Sequence, residues 1–391
     1  MKSSKFGLNT ICTHVGETPD EQFKGATSPI YLSTSYEFMD VDIKRYPRYF
    51  NTPNQEYLSK KIAALEHTEA AMIFGSGMAA VSTTLLAFLK SGDHVVVQND
   101  IYGGTRNLVN SHFKHYNIEF TFTNGLEISD FESCIKSNTK LIYIETPSNP
   151  LLKLVDLDAI GKLSKAYNVL TVIDNTFATP VNQNPVDYGI DIVIHSATKY
   201  FGGHSDISAG AVAASQTHID MIWDIAKDLG GSLSDFTVWM LERSLKTLGL
   251  RVEAQQKNAK KLAKFLQKHH AVKKVNYPGL KSHPNYALAK QQMRGFGAML
   301  SFDLNQDYNA KDFLNALELI KPTMSLAGIE STMILPSETS HALLSPKERL
   351  EQGIGDNLIR FSVGIENYDD IINDIENALA KLSVNALVHE K

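Results

Sequence analysis

Two residues set the chemical question in this sequence. Asp174 closes the apolar run Val169–Asp174, and Lys199 lies in the short loop that follows the next run, Ile190–Ile194. A lysine amine can form a Schiff base, and a carboxylate can hold a pyridine nitrogen protonated; these are the two protein groups that pyridoxal phosphate requires. Taken singly, Asp174 could cap a turn and Lys199 could be a solvated surface charge. A third feature bears on the pair. Gly75-Ser76-Gly77-Met78 ends an apolar run and opens a helical pattern, which places backbone N–H groups where an anion can sit. A helix N-terminus contributes only about 0.3–1 kcal/mol to holding an anion. A phosphate therefore needs further donors, which the hydroxyls of Ser196 and Thr198 and an arginine fork could supply. No arginine stands at these run ends. Arg48, in Tyr46–Asn51, is accounted for if the N-terminal arm reaches a neighbouring subunit's site.

The same glycines leave other readings open. Gly75 to Ala80 matches the G-x-G-x-x-A fingerprint of dinucleotide binding, with Asp100 near the expected offset, so a nicotinamide oxidoreductase competes. A plain tight turn also fits. That first competitor leaves Asp174, Lys199 and Arg48 without duties. His112 and His115 share a helix face without a matching ligand cluster, so no metal is expected. Gly203-His204-Ser205-Asp206 has the residue types of a hydrolytic triad, but consecutive side chains point in different directions.

The elements that must position these residues follow from apolar periodicity. Short runs at Ala70–Phe74, His94–Gln98, Ile118–Phe122, Leu141–Glu145, Val169–Asp174 and Ile190–Ile194 alternate with helical stretches ending near His67 and Lys90 and at 104–115, 128–137 and 156–167. That pattern predicts an α/β fold with a mostly parallel sheet covered by helices on both faces, whose ligands gather at the carboxyl ends of the strands. After Ile207–Ala213 the alternation stops and helical patterns run from Ile219 to His270, unbroken from Asp235. Runs at Val272–Asn276, Gly297–Asp303, Ile334–Leu335 and Leu358–Val363, with helices at 309–319 and 369–383, predict a smaller α+β domain. The expected organisation is an arm over 1–53, a large domain over 54–250 and a C-terminal domain over 251–391.

Composition narrows the classes. The chain has 391 residues, of which 43% are hydrophobic and 21% charged, in the range of an ordinary globular protein. A net charge of −5 without a basic block argues against nucleic acid as a partner. Two distant cysteines, Cys12 and Cys134, build neither a disulfide framework nor a thiolate metal site, and no stretch approaches the roughly 18 apolar residues of a membrane span. A cytoplasmic protein without a membrane anchor is expected.

The motifs Tyr46-x-Arg48-x-x-Asn51, Gly75–Met78, Asp100–Thr105, Glu145–Pro150, Asp174–Thr176 and Ser196–Tyr200 occur in order, followed by Gly203–Asp206, Ser325–Gly328, Thr339–His341 and Arg360–Glu366. Together they resemble the Cys/Met-metabolism family of pyridoxal-phosphate enzymes nearly end to end. That resemblance implies an aspartate-aminotransferase-like (fold type I) architecture, with Lys199 bonded to the cofactor and shuttling protons, and Asp174 holding its ring nitrogen. It further implies that Tyr102 stacks on the ring, that Gly77, Met78, Ser196 and Thr198 bind the phosphate, and that Tyr46 and Arg48 join them across a subunit interface. By the same resemblance, Arg360 would take the substrate α-carboxylate with Asn149 and Ser325, Asn149 also lying near the cofactor. A homo-oligomer is implied, a tetramer built from active-site dimers.

Substrate choice is marked by two positions. Cystathionine γ-synthases and γ-lyases commonly carry acidic residues before the arm tyrosine and before the Ser-Leu pair, where this chain has Arg45 and Met324. Neither accepts a cation. Methionine γ-lyases typically have a cysteine where Gly104 stands, and Pro47 and the order Thr52-Pro53 depart from the usual arm. The expectation is a carbon–sulfur lyase eliminating at the β- or γ-carbon of cystathionine, methionine or a related sulfur amino acid. Its alternatives are γ-replacement on an activated homoserine and non-catalytic binding of the cofactor.

Overall fold

The structure is a computed structural model that describes residues 6–342 and 345–389, with side chains to residue 382. It divides into two compact units, Met1–Thr146 with Val155–Leu250, and Pro147–Leu154 with Arg251–Lys391.

In the first unit the chain runs α1 (Leu8–His14), α2 (Pro53–Glu66), β1 (Ala70–Phe74), α3 (Gly77–Phe88), β2 (His94–Val97), α4 (Gly103–His112), β3 (Glu119–Phe122) and α5 (Ile128–Glu132). It continues through β4 (Thr139–Glu145), α6 (Leu157–Tyr167), β5 (Leu170–Asp174), α7 (Thr179–Asn182), β6 (Ile192–His195), β7 (Gly210–Ala214), α8 (Gln216–Leu229) and α9 (Asp235–Leu245). The seven strands form one sheet in the order β1-β7-β6-β5-β4-β2-β3. Only β7 runs against the others, pairing antiparallel with both β1 and β6. This is the expected mostly parallel sheet.

The continuous apolar runs are explained by burial on both faces. Val95, Val97, Leu141, Tyr143, Val172, Ile192 and Ile194 enter one core cluster, while Val96, Ile142, Ile144, Ile173 and Val193 enter another. Alternate residues of β2, β4, β5 and β6 thus serve opposite faces, so both sides of these inner strands are buried. Helix starts are set locally. Thr52 and Gln55 form a reciprocal capping box at α2 with Pro53 in its first turn, and the Asp156 side chain accepts from Ala159 N–H at α6.

Helix α10 (Leu248–Leu266) crosses the unit boundary. The second unit then carries β8 (Val272–Asn276), α11 (Tyr286–Gln292), β9 (Met299–Leu304), α12 (Ala310–Ala316), β10 (Thr332–Ile334), α13 (Pro346–Glu351), β11 (Leu358–Ser362) and α14 (Tyr368–His389). Its strands pair antiparallel in the order β10-β11-β9-β8.

The sequence pattern and the structure differ in extent at several elements. The helical stretch expected to run unbroken from Asp235 is interrupted between α9 and α10, where Thr247 folds back through its N–H and hydroxyl onto Ser244 C=O. The helix expected over 104–115 tightens into a short 3-10 turn over Phe113–Tyr116 that ends at Asn117 with φ of 53°. An apolar-periodic pattern does not register such turns, because the side chains keep their faces while the backbone bonds change.

Two buried histidines give the fold a pH signature. His94 contacts the Thr139 and Thr121 hydroxyls at 2.8 and 2.9 Å, and burial brings it down to about 4; burial also brings His283 down to about 4. A histidine in an unfolded chain titrates near about 6.5, so between that pH and about 4 the unfolded chain binds protons that the folded one refuses. The stability these neutral rings contribute is complete above that window and is lost as the pH falls through it. Urea-unfolding midpoints should therefore drop from pH 7 to pH 5, and His94→Gln should flatten part of that dependence. An equal slope in the variant would remove His94 from the explanation.

Candidate active site

The site in the first unit is built where parallel strands end together. Glu145, Asp174 and Ile194 are register partners across β4, β5 and β6, so the residues that follow each strand emerge along one edge. The turn after β5 is tied to the loop after β6. Asn175 N–H donates to Ile194 C=O at 2.9 Å, Ser196 N–H donates to the Thr176 hydroxyl at 2.8 Å, and Thr176 N–H donates to Asp174 Oδ1 at 3.0 Å. Lys199 sits in a tight turn, its N–H donating to Ser196 C=O at 3.0 Å and its C=O accepting from Gly203 N–H at 2.6 Å. Asp174 and Lys199, apart by 25 positions in sequence, are thereby carried on two loops bonded to one another.

Helix α3 starts beside that pair. The Ser76 hydroxyl caps it by accepting from Ala79 N–H at 3.0 Å, leaving the N–H groups of Gly77 and Met78, in the first turn, without an intrahelical acceptor. No acidic side chain lies in that turn. A Cβ placed on Gly77 would stand 2.9 Å from Ser196 Cβ and Oγ, so only glycine lets the helix start and the Ser196 loop approach this closely. Thr198 stands differently from Ser196. Its hydroxyl donates to Ala209 C=O at 3.1 Å and accepts from Ala209 N–H at 3.0 Å, which ties it to β7's approach.

Tyr102 caps α4, and its N–H donates to Glu145 Oε2 at 2.7 Å. Its ring leans over Gly104, where a Cβ would fall 2.5 Å from Cε1, and 46% of the residue is exposed. Glu145, which closes β4 within the Glu145–Pro150 motif, is the acceptor that holds Tyr102 in place. It fixes the tyrosine through the backbone, for which sequence offers no signal beyond a carboxylate at a strand end.

Electrostatics favour a cation at Asp174. Burial pushes its carboxyl above the usual carboxylate range, opposed by the Thr176 hydrogen bonds and by the charge of His195. A carboxylate held this way gains from a further positive contact, which a protonated pyridine nitrogen provides. Helix amides for a phosphate, an exposed ring to stack, a carboxylate in want of a cation and an amine on the adjoining loop together fit pyridoxal phosphate.

On the arm, Tyr46 and Arg48 lie together around a 3-10 turn, Pro47–Tyr49. The Arg48 guanidinium is 5.6 Å from the Tyr46 ring centroid and 5.3 Å from that of Tyr49, and it donates to Lys227 C=O. Arg45 is engaged, donating to Asn51 C=O and lying 3.0 Å from the Glu56 carboxylate.

The second unit holds the remaining expected residues. Arg360, on β11, is buried, and its guanidinium donates to Asn149 Oδ1 at 3.3 Å and to Ser325 C=O at 2.8 Å. Both acceptors are neutral. Ser325 has φ of 87°, a left-handed backbone that costs a serine of order 1–3 kcal/mol and is typical of functional sites. Met324 beside it is exposed.

Comparison with known proteins agrees with this geometry. The family described as "Cys/Met metabolism PLP-dependent enzyme" matches residues 9–380. The chain belongs to that family, and pyridoxal 5'-phosphate is its cofactor. It is similar to a cystathionine gamma-lyase of Bacillus subtilis, with 41% identity over 95% of this chain and 99% of that one. A cystathionine beta-lyase of Lactococcus lactis is 39% identical over 96% and 99% of the two chains. Among solved structures, cystathionine gamma-lyase from Lactobacillus plantarum complexed with L-serine superposes with a TM-score of 0.93 at 38% identity, covering 97% of this chain and 100% of the other.

The close approach at Gly77 yields a direct test. Gly77→Ala overpacks the contact with Ser196, a change worth about 1–3 kcal/mol, so the Kd of the apoprotein for pyridoxal phosphate should rise about tenfold or more. Fluorescence titration reads it, and an unchanged Kd would show that the helix start does not bear on the cofactor.

Proposed function

We propose that the protein is a carbon–sulfur lyase of sulfur amino acids, with cystathionine as the substrate, releasing a thiol, ammonia and a 2-oxo acid. The observation that carries this reading is the pairing of Asp174 and Lys199 on two bonded loops at the end of one parallel register. The relatives' reactions at 41% and 39% identity support the substrate class.

Pyridoxal phosphate, when bound, supplies an electron sink for the charge left at the substrate α-carbon. The residues of this chain do the rest. Asp174 keeps the ring nitrogen protonated, the N–H groups of Gly77 and Met78 with Ser196 hold the phosphate, and Thr198 braces their loop against Ala209. Lys199 Nζ takes the proton from the α-carbon and returns it along the chain of carbons. Tyr102 covers the ring, its hydroxyl handing a proton to the departing sulfur. Arg360 binds the α-carboxylate as a planar fork with Asn149 and Ser325, which orient its guanidinium. Arg45 and Met324 bring no carboxylate to a distal ammonium, which favours recognition of the far end of the substrate by shape.

The proposed assembly is a homotetramer of active-site dimers in the cytoplasm, with Tyr46 and Arg48 serving a neighbour's phosphate. Its support is the arm, where Phe23, Leu32, Phe38, Met39 and Ile43 are exposed, an apolar run that a second copy of the chain would cover.

Lys199→Ala should abolish turnover while retaining noncovalent cofactor; turnover at the wild-type rate would refute the role of the amine. With cystathionine, pyruvate and homocysteine would report β-elimination, and 2-oxobutyrate with cysteine would report γ-elimination; the absence of both pairs would overturn the reading of a lyase acting on cystathionine. For the arm, Arg48→Ala should loosen cofactor retention, and sedimentation of the wild-type protein as a monomer would rule out the shared site.

A further inference from the structure

Beneath the Asp174 and Ser196 loops lies a buried polar cluster of Glu66, His195, Asn175 and Gln183. Glu66, the last residue of α2, is 0% exposed in its side chain and His195, the last residue of β6, 2%; Glu66 Oε1 is 2.5 Å from His195 Nε2. The same carboxylate oxygen accepts from Asn175 Nδ2 at 3.2 Å, while Glu66 Oε2 is buried with no hydrogen-bond partner among the described residues. All its polar contact therefore falls on one oxygen shared by two donors. A carboxylate so deeply buried is costly unless paired with a positive charge, and His195 is the basic side chain in contact with it.

Both donors lead to the cofactor's partners. Asn175 is joined by the chain to Asp174, its N–H is bonded to Ile194 C=O, and its side chain is clamped by Gln183 through Nδ2 to Gln183 C=O at 3.1 Å and Gln183 Nε2 to Asn175 Oδ1 at 3.0 Å. His195 precedes Ser196 and stacks on Phe201, centroids 4.4 Å apart and planes at 27°, and Phe201 is two residues beyond Lys199. The charge of His195 in turn favours the ionised form of Asp174. β5 and β6 pair Asp174 with Ile194, so His195, one residue on, points to the opposite face of the sheet, where Glu66 meets it.

We propose that Glu66 is a positioning residue for the cofactor: through Asn175 it fixes the turn that aims Asp174 at the pyridine nitrogen, and through His195 it fixes the loop that carries Ser196 and Lys199. The inference rests on the pyridoxal-phosphate reading of the site and adds to it a residue one layer further from the ring. It assigns a task to a fully buried acid at the end of α2, 108 positions before Asp174.

The test uses Glu66→Gln and, independently, His195→Gln, each near in shape to the residue it replaces. Apoprotein is reconstituted with pyridoxal phosphate labelled with 15N in the ring. In the wild type the ring resonance should lie at the pyridinium position; in both variants it should move toward the unprotonated position, with the Kd for the cofactor raised and kcat lowered about tenfold, the population change that one unit in an acid constant produces. KM should stay close to the wild-type value. A ring resonance that stays at the pyridinium position in either variant, with only the thermal midpoint lowered, would make the pair structural and overturn the proposal. In wild-type protein, cofactor binding should also shift the imidazole 15N resonances of His195; no shift there counts equally against it. Failure of the wild type to bind the cofactor would instead strike the reading of the site itself.

Discussion

The register of three parallel strands is the constraint on which the site depends. Glu145, Asp174 and Ile194 lie level across β4, β5 and β6, and from that line come the Asp174 carboxylate, the brace for Tyr102 and the loop of Lys199. A slip of one residue in β5 would turn Asp174 to the opposite face and leave Ile173 in its place. The register is protected by the cores on both faces. Ile142, Ile173 and Val193 fill one side while Tyr143, Val172 and Ile194 fill the other, so any slip would exchange two packed layers at once.

The same arrangement explains how a charged site is carried by an apolar sheet. Strands covered on both sides have no polar face on which to place a functional group, so chemistry is confined to their ends, where backbone groups are freed from the ladder. There the chain satisfies them with its own side chains. Thr176 takes the Ser196 N–H, Glu145 takes the Tyr102 N–H, and Gln98 spans from Glu145 N–H to the carbonyls of Glu145 and Asp100. Loops pinned in this way hold reacting groups with little rearrangement, which is what electrostatic stabilisation of a developing charge requires. In the second unit the Arg360 guanidinium is oriented by bonds to neutral oxygens on Asn149 and Ser325.

Much of this was legible in the residues. The alternation of short apolar runs with helical stretches forecast the parallel sheet, and Gly75–Met78, Asp174 and Lys199 stood where such a sheet puts ligands. Extents were less legible. The break between α9 and α10 and the early end of α5 at Glu132 depend on turns whose side chains keep a helical pattern. The contacts of Glu145 and Glu66 were illegible for another reason: one bonds a backbone N–H and the other meets His195 beneath the sheet, and neither contact leaves a spacing in the sequence.

What the sequence determined by itself is the chemistry on offer and the order of elements, because residue type fixes which groups can bond or ionise and periodicity fixes which faces must be buried. What only the tertiary structure decided is which of those groups meet. It put the Gly77 helix start within van der Waals reach of the Ser196 loop, committed the Thr198 hydroxyl to Ala209, engaged Arg45 with Glu56 and brought Glu66 to His195 across 129 positions. Those meetings arise from close packing between segments remote in the chain, and distance along a chain carries no record of distance in space.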